Sequence, residues 1–273
     1  MVASFLLSLR EGLEAALIIG ILLGTITKLD RKDYQSTIWF GAGLAVVLSI
    51  VIGVGIHLLG ATFEGRTEEL FDGVVMLLAA LILTWVIVWM QSQAQAANIE
   101  LEKGVKQAII SENHFALFTL AFLSVIREGI ELALFLTATS MDSSGVNIIL
   151  GAILGLASVI VLAILLFKSL IRLNLKNFFK ISSVILILFA AGLVAHGVHE
   201  FNEAGLITPI IEHIWDFNPI LDENSAMGEI LKALLGYNGN PSLTEAAAYL
   251  LYFVFLWIGN FFIRQHPKYQ KAG

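Results

Sequence analysis

The sequence predicts an all-α polytopic membrane protein with seven transmembrane helices, two inverted three-helix repeats plus one extra helix. Three observations predict it. Of the 273 residues 58% are apolar and 14% charged, with a mean hydropathy of +0.84, against roughly 45–50% and about 25% in soluble domains. The apolar residues gather into seven runs of about 20 residues, the length of one bilayer crossing. A charged motif occurs twice, in the first and fourth runs.

The runs cover residues 2–27, 37–60, 70–92, 115–138, 146–168, 180–199 and 245–263. All are expected to be helices, because an open strand edge leaves backbone groups unsatisfied in lipid. The first run lacks a basic leader and a small-residue cleavage site and carries Arg10, Glu11 and Glu14 at its centre, so it reads as a retained helix and not a signal peptide. Gly12, Ala16, Gly20 and Gly24 on that run, and Gly151 and Gly155 on the fifth, recur at four-residue spacing, which lets helices approach closely. Trp39, Trp85, Trp89 and Trp257 lie near run ends, as interfacial anchors do. Between the sixth and seventh runs, Pro209, Pro219, Pro241 and the stretch from Gly236 to Asn240 predict an ordered loop with short helices. The resulting organisation is a first repeat at 1–92, a cytoplasmic linker at 93–114, a second repeat at 115–200, an outer acidic loop at 201–244, and a seventh helix with a cytoplasmic tail at 245–273.

Basic residues set the orientation, because short loops rich in Lys and Arg stay in the cytoplasm. Lys28, Arg31, Lys32, Lys103, Lys106, Lys168, Arg172, Lys176, Lys180, Arg264, Lys268 and Lys271 fall on one side, twelve of the sixteen basic residues. That places the N-terminus outside and the C-terminus in the cytoplasm. The opposite loops hold Arg66 and Lys232 among many acids, including Glu64, Glu212, Asp216, Asp142 and Glu245.

Setting residue n against n+117 aligns Phe5–Leu17 with Phe122–Leu134, and eight of these thirteen positions are identical, Arg10/Arg127, Glu11/Glu128, Gly12/Gly129 and Glu14/Glu131 among them. Shared hydrophobicity alone does not align charges. Three helices per half turn the second copy upside down, the plan of many transporters.

At about 100° per residue, Arg10, Glu11 and Glu14 project from one arc of a helix, as do Arg127, Glu128 and Glu131. Six ionisable groups at mid-membrane cost on the order of 2.5–3.5 kcal/mol each, so they must face one another or water. Two arginines neutralise two glutamates and leave a charge of −2 if all are ionised. The partner this arrangement lacks is a cation, and carboxylates favour hard ions or iron over soft metals. Two other readings fit the same charges: Arg–Glu pairs that merely lock helix packing, and a proton relay.

Further candidate ligands lie toward the outer face. The end of the sixth run places His196, His199, Glu200 and Glu203 on one helical stripe, and imidazole with carboxylate suits iron. Glu68, Glu69 and Asp72 open the third run, with Met76 one turn deeper. His57 reads as a helix-end residue.

The absence of cysteine excludes thiolate metal sites, disulfides and thiol nucleophiles. No phosphate-binding Gly-x-x-x-x-Gly-Lys loop, His-Glu-x-x-His motif or serine elbow occurs, and a net charge of −6 with no long basic run gives no footprint for nucleic acid. The chain is expected to be a carrier in contact with membrane lipid, not an enzyme, with no permanently bound cofactor. Rival readings are a proton-coupled carrier, a carrier of lead, manganese or zinc, and an intramembrane metallo-hydrolase.

The doubled Arg-Glu-Gly-hydrophobic-Glu motif at Arg10–Glu14 and Arg127–Glu131 resembles that of the high-affinity iron permeases of the oxidase-dependent iron transporter family. Phe71-Asp72-Gly73, Ala195-His196-Gly197-Val198-His199-Glu200 and Gly236-Tyr237-Asn238-Gly239-Asn240-Pro241 look like the bacterial branch. The resemblance implies a permease that carries ferric or ferrous iron inward across the plasma membrane, the inner membrane in bacteria. It implies that Glu11, Glu14, Glu128 and Glu131 coordinate the ion in transit, and the two arginines are expected to orient them. It also implies extracytoplasmic partners: a ferroxidase, a haem peroxidase or an iron-binding protein.

Overall fold

The computed structural model describes residues 1–60, 62–140, 145–167, 175–223 and 225–265. Its elements are α1 (Val2–Lys28), α2 (Gln35–Gly60), α3 (Arg66–Ile110), α4 (His114–Ser140), α5 (Gly145–Phe167), α6 (Leu175–Glu203), α7 (Ala226–Leu235) and α8 (Leu243–Gln265), with one 3-10 turn at Lys32–Tyr34. No strand occurs among the described residues. Lys168, Arg172, Lys268, Lys271 and Asp142 of the topology argument lie outside them.

Among the described residues, four segments are long and apolar enough to cross a membrane: Lys32–Gly60, Arg66–Val88, Gly145–Phe167 and Asn177–Glu203. The chain is an integral membrane protein. Helices α1 and α4 match these in length, at 27 residues each, but carry the two charged motifs at their centres. Large apolar side chains are exposed along the four apolar segments, Val47, Ile50, Leu81, Ile160 and Ile181 among them, and Trp39, Trp85 and Trp257 are exposed too. The side chain of Trp89 lies outside those described.

Helix α3 runs unbroken for 45 residues, so residues 93–110, expected as a linker, continue the third helix beyond its apolar part. Gln, Ala, Glu and Lys dominate there, and all are good helix formers. Both α1 and α3 end by a backbone turn through a residue with positive φ, Asp30 at 55° and Glu112 at 49°. The Arg31 and Asn113 N–H groups then donate back to Ile26 O and Ala108 O, the hydrogen-bond pattern of a Schellman end.

The helices pair across the two halves: α1 packs on α5, α2 on α4, α3 on α6, and α1 meets α4. The buried residues of α2 include Ile38, Gly41, Ala45 and Ser49; those of α5 are Ile148, Gly151, Gly155 and Val159. Each member of the second set is the first set's number plus 110, so both helices bury the same stripe, with small residues at its centre. A Cβ on Gly41 would lie 2.8 Å from Phe118 O, and one on Gly151 2.3 Å from Met1 O. Phe118 is Met1 plus 117, so the two pairs, α2 on α4 and α5 on α1, touch at matching places. The core between α3 and α6 is built from Met76, Ala79 and Leu83 against Phe189, Ala190 and Leu193, with Phe135 of α4 and Tyr252 of α8 closing it. At the basic-loop end, Leu22, Ile26, Tyr34, Ile38, Ile109 and Leu117 form a second core.

Candidate metal centre between α1 and α4

The motif glycines decide how close the charged faces come. A Cβ on Gly12 would lie 2.8 Å from Val159 Cγ2 of α5, and one on Gly129 2.0 Å from Ser49 Oγ of α2. Only hydrogen fits at either place, so α5 and α2 press on the backs of the two motifs. The Glu and Arg side chains turn toward the α1–α4 contact.

There Arg10, 1% exposed, donates through Nη1 to Glu11 Oε1 at 2.5 Å and pairs through Nη2 with Glu14 Oε1 at 3.1 Å. Arg127, 35% exposed, donates through Nε to Glu131 Oε1 at 2.9 Å. The two motifs are thus alike in the i,i+4 pair and unlike in burial. Glu11, Glu128 and Glu131 are buried, and each offers a carboxylate oxygen within 4.8 Å of the others. Among the described residues, this is the group of acids and histidines close enough to hold one metal ion. Glu11 Oε2, Glu128 Oε2 and Glu131 Oε2 are buried without a hydrogen-bond partner. A buried acceptor left unsatisfied costs about 1–3 kcal/mol, and more when charged. Oxygen ligands lie about 2.3–2.6 Å from a cation such as calcium, so oxygens spaced like these can share one ion. Glu14 stands beside the group, held by Arg10.

The remaining candidates are arranged differently. Gly73 of α3 and Gly197 of α6 back onto each other, with a Cβ on either about 3 Å from the other's carbonyl oxygen, which puts Asp72 and His196 at one helix crossing. His196 Nδ1 donates to Gly192 O at 2.9 Å. His199 Nδ1 donates instead to Glu245 Oε1 of α8 at 3.1 Å. Glu200 is half-buried, Glu203 and Glu68 are exposed, and Glu69 and Asp72 are half-buried. Among the described residues, His196, His199, Glu200 and Glu203 are not brought together as a close ligand group, and α8 engages His199.

Glu245 was missed as a partner of His199 although its own signal is local. Ser242-Leu243-Thr244-Glu245 is a capping box: Ser242 Oγ accepts from Glu245 N–H at 3.2 Å, and Glu245 Oε1 accepts from Ser242 N–H at 3.3 Å. Asn238 Nδ2 donates to Glu245 Oε2 at 2.7 Å, and Gly236 ends α7 at φ 67° with its Cα pressed on Gly192 of α6. The stretch from Gly236 to Pro241 is thus a structural knot that ties α6, α7 and α8 together.

With this geometry in view, the comparison with known proteins is decisive, since the model of the iron permease FTR1 family matches residues 1–264. The chain belongs to that family. The ferrous iron permease EfeU of Escherichia coli O6:H1 is 37% identical over 256 residues, 93% of each chain. EfeU of Escherichia coli O157:H7 is likewise 37% identical over the same share. EfeU of Yersinia pestis is 32% identical, over 93% of this chain and 91% of that one. The relatives are permeases, not enzymes. No solved structure matches.

Proposed function

We propose that this permease carries iron inward through a mid-membrane site in which Glu11, Glu128 and Glu131 are the direct ligands and Glu14 a fourth carboxylate beside them. One observation carries the reading: three buried glutamates from two helices, each with an unsatisfied Oε2, stand within ligand distance of one another. A cation supplies what all three oxygens lack, and carboxylates suit iron. The relatives' name, ferrous iron permease, favours Fe(II) as the cargo. Arg10 and Arg127 orient the carboxylates and offset part of their charge.

The matching α1–α5 and α4–α2 contacts support two inverted repeats, with seven crossings once α1, α4 and α8 join the four apolar segments. The basic loops support an outside N-terminus in a bacterial inner membrane. On that orientation Glu68, Glu69, Asp72, His196, Glu200 and Glu203 attract the cation at the outer end, and an extracytoplasmic iron-binding or iron-oxidising protein delivers it there. His199 serves to hold Glu245.

Radioactive iron uptake into liposomes containing the purified protein tests this, with Fe(II) and Fe(III) offered separately and manganese, zinc and lead as competitors. Fe(II) uptake that Glu11→Gln or Glu128→Gln abolishes is the expected result. Uptake that survives both substitutions returns these glutamates to a packing role.

A further inference from the structure

A groove of about 490 Å³ opens sideways between α2 and α5, with Glu11 and Gly12 of α1 and Glu128 and Gly129 of α4 along its floor. Its walls are Val46, Ile50 and Val54 on α2 and Ile149, Ile153 and Leu156 on α5. All six are exposed, from 41% to 60%, so no part of the described chain covers them. The groove's hydroxyls are turned away: Ser49 Oγ donates to Ala45 O at 2.8 Å and Thr137 Oγ1 to Ala133 O at 2.9 Å. Between His57 at the mouth and the two carboxylates on the floor, the walls offer a hydrated ion nothing to replace its water.

The length fits one particular occupant. From Val46 to His57 at the mouth, α2 rises roughly 16 Å, about half of a hydrocarbon core near 30 Å thick. The groove is therefore one leaflet deep. Its walls continue directly into the apolar exposed faces of α2 and α5, and both helices cross the bilayer. At the matching place in the other half, Gly20 stands for Thr137 and Phe167 for His57. There the Phe167 ring packs so closely on Gly20 that a Cβ would lie 2.1 Å from it.

We infer that the groove between α2 and α5 binds a single phospholipid acyl chain from the leaflet on the His57 side, and that this chain closes the flank of the Glu11–Glu128 site. The inference rests on α2 and α5 crossing the bilayer and is independent of the cargo. A lipid tail meets the apolar walls on their own terms, and it keeps water from the floor, where the Glu11 and Glu128 side chains border the groove.

The chain has no cysteine, so single cysteines report without background. Val54→Cys and Ile153→Cys, one on each wall, are placed in phosphatidylcholine nanodiscs beside a lipid-facing control, Leu81→Cys, and a water-facing control, Glu64→Cys. Each is labelled with bimane in one arm and treated with a charged, membrane-impermeant thiol reagent in the other. Both wall positions are expected to lose bimane fluorescence to acyl-chain nitroxide lipid as Leu81→Cys does, and to react with the charged reagent at its slow rate. Reaction at the rate of Glu64→Cys makes the groove a water-filled vestibule and overturns the inference. Oxidative cross-linking of Val54→Cys to the same residue of a second copy, with nitroxide quenching lost, makes it a protein interface and overturns it equally. No metal enters either readout, so failure here leaves the iron site untouched.

Discussion

Glu11 of α1 and Glu128 of α4, which occupy the same place in the two motifs, bring carboxylate oxygens within 4.8 Å of each other across the contact of those helices. Residues 117 apart in the chain thereby become two walls of one site, with Glu131 as the third.

Replacing Glu128 with Gln removes one of the proposed ligands and keeps its shape. Loss of an outer partner of a metal ligand typically costs about 10–100-fold in affinity, and loss of a ligand costs no less. Iron uptake by Glu128→Gln is expected to fall by at least that factor. Thermal stability without metal is expected to hold or rise, since one buried acid has gone. Uptake and melting temperature of the same preparation check both halves.

Arg10 is buried and pairs with both Glu11 and Glu14. Arg10→Gln leaves the buried Glu11 and the partly buried Glu14 without their cation, a loss of about 3–5 kcal/mol. Combining it with Glu11→Gln and Glu14→Gln is expected to restore most of that stability while transport stays lost. Denaturation of the single and triple variants in one detergent provides the comparison.

The close approach of α4 to α2 depends on Gly129, where a Cβ would strike Ser49 Oγ at 2.0 Å. Gly129→Ala is expected to destabilise by about 1–3 kcal/mol through overpacking, and Ser49→Gly to relieve it. Gly24, also in the repeating small-residue stripe, has nothing within 4 Å of its would-be Cβ. Gly24→Ala is expected to stabilise by roughly 0.5–1 kcal/mol through helix propensity. Melting temperatures of Gly129→Ala, of the Gly129→Ala/Ser49→Gly pair and of Gly24→Ala are the measurement.

His199 separates a holding role from metal collection. His199→Ala removes a hydrogen bond to a carboxylate, worth about 1.5–3 kcal/mol, and is expected to loosen α8 without changing iron affinity. Protease sensitivity of the region from 236 to 245 and an iron competition titration read the two effects separately. Weakened iron binding at unchanged protease sensitivity would sink the holding role.

Much of this was legible in the residues. The doubled motif, its four glutamates and its two arginines stand in the sequence, because charges inside apolar runs are costly and hence conspicuous. The close packing of small residues was legible as a four-residue spacing. What it could not tell was which glycine faces a neighbour: Gly12 does and Gly24 does not. The stripe of His196, His199, Glu200 and Glu203 was real as helical geometry, but periodicity on one helix says nothing of what another helix brings to it.

Composition and apolar run length by themselves determined an all-helical membrane protein, since lipid admits few backbone solutions. The alignment of Arg10–Glu14 with Arg127–Glu131 singled out the residues proposed to carry the chemistry. Only the tertiary structure decided that Glu11, Glu128 and Glu131 share a site while Glu14 stands beside it. It alone gave His199 to Glu245 and left a groove open between α2 and α5. The physical reason is that local patterns state which face of a helix is polar or small, whereas distances between faces arise from packing among helices far apart in the chain.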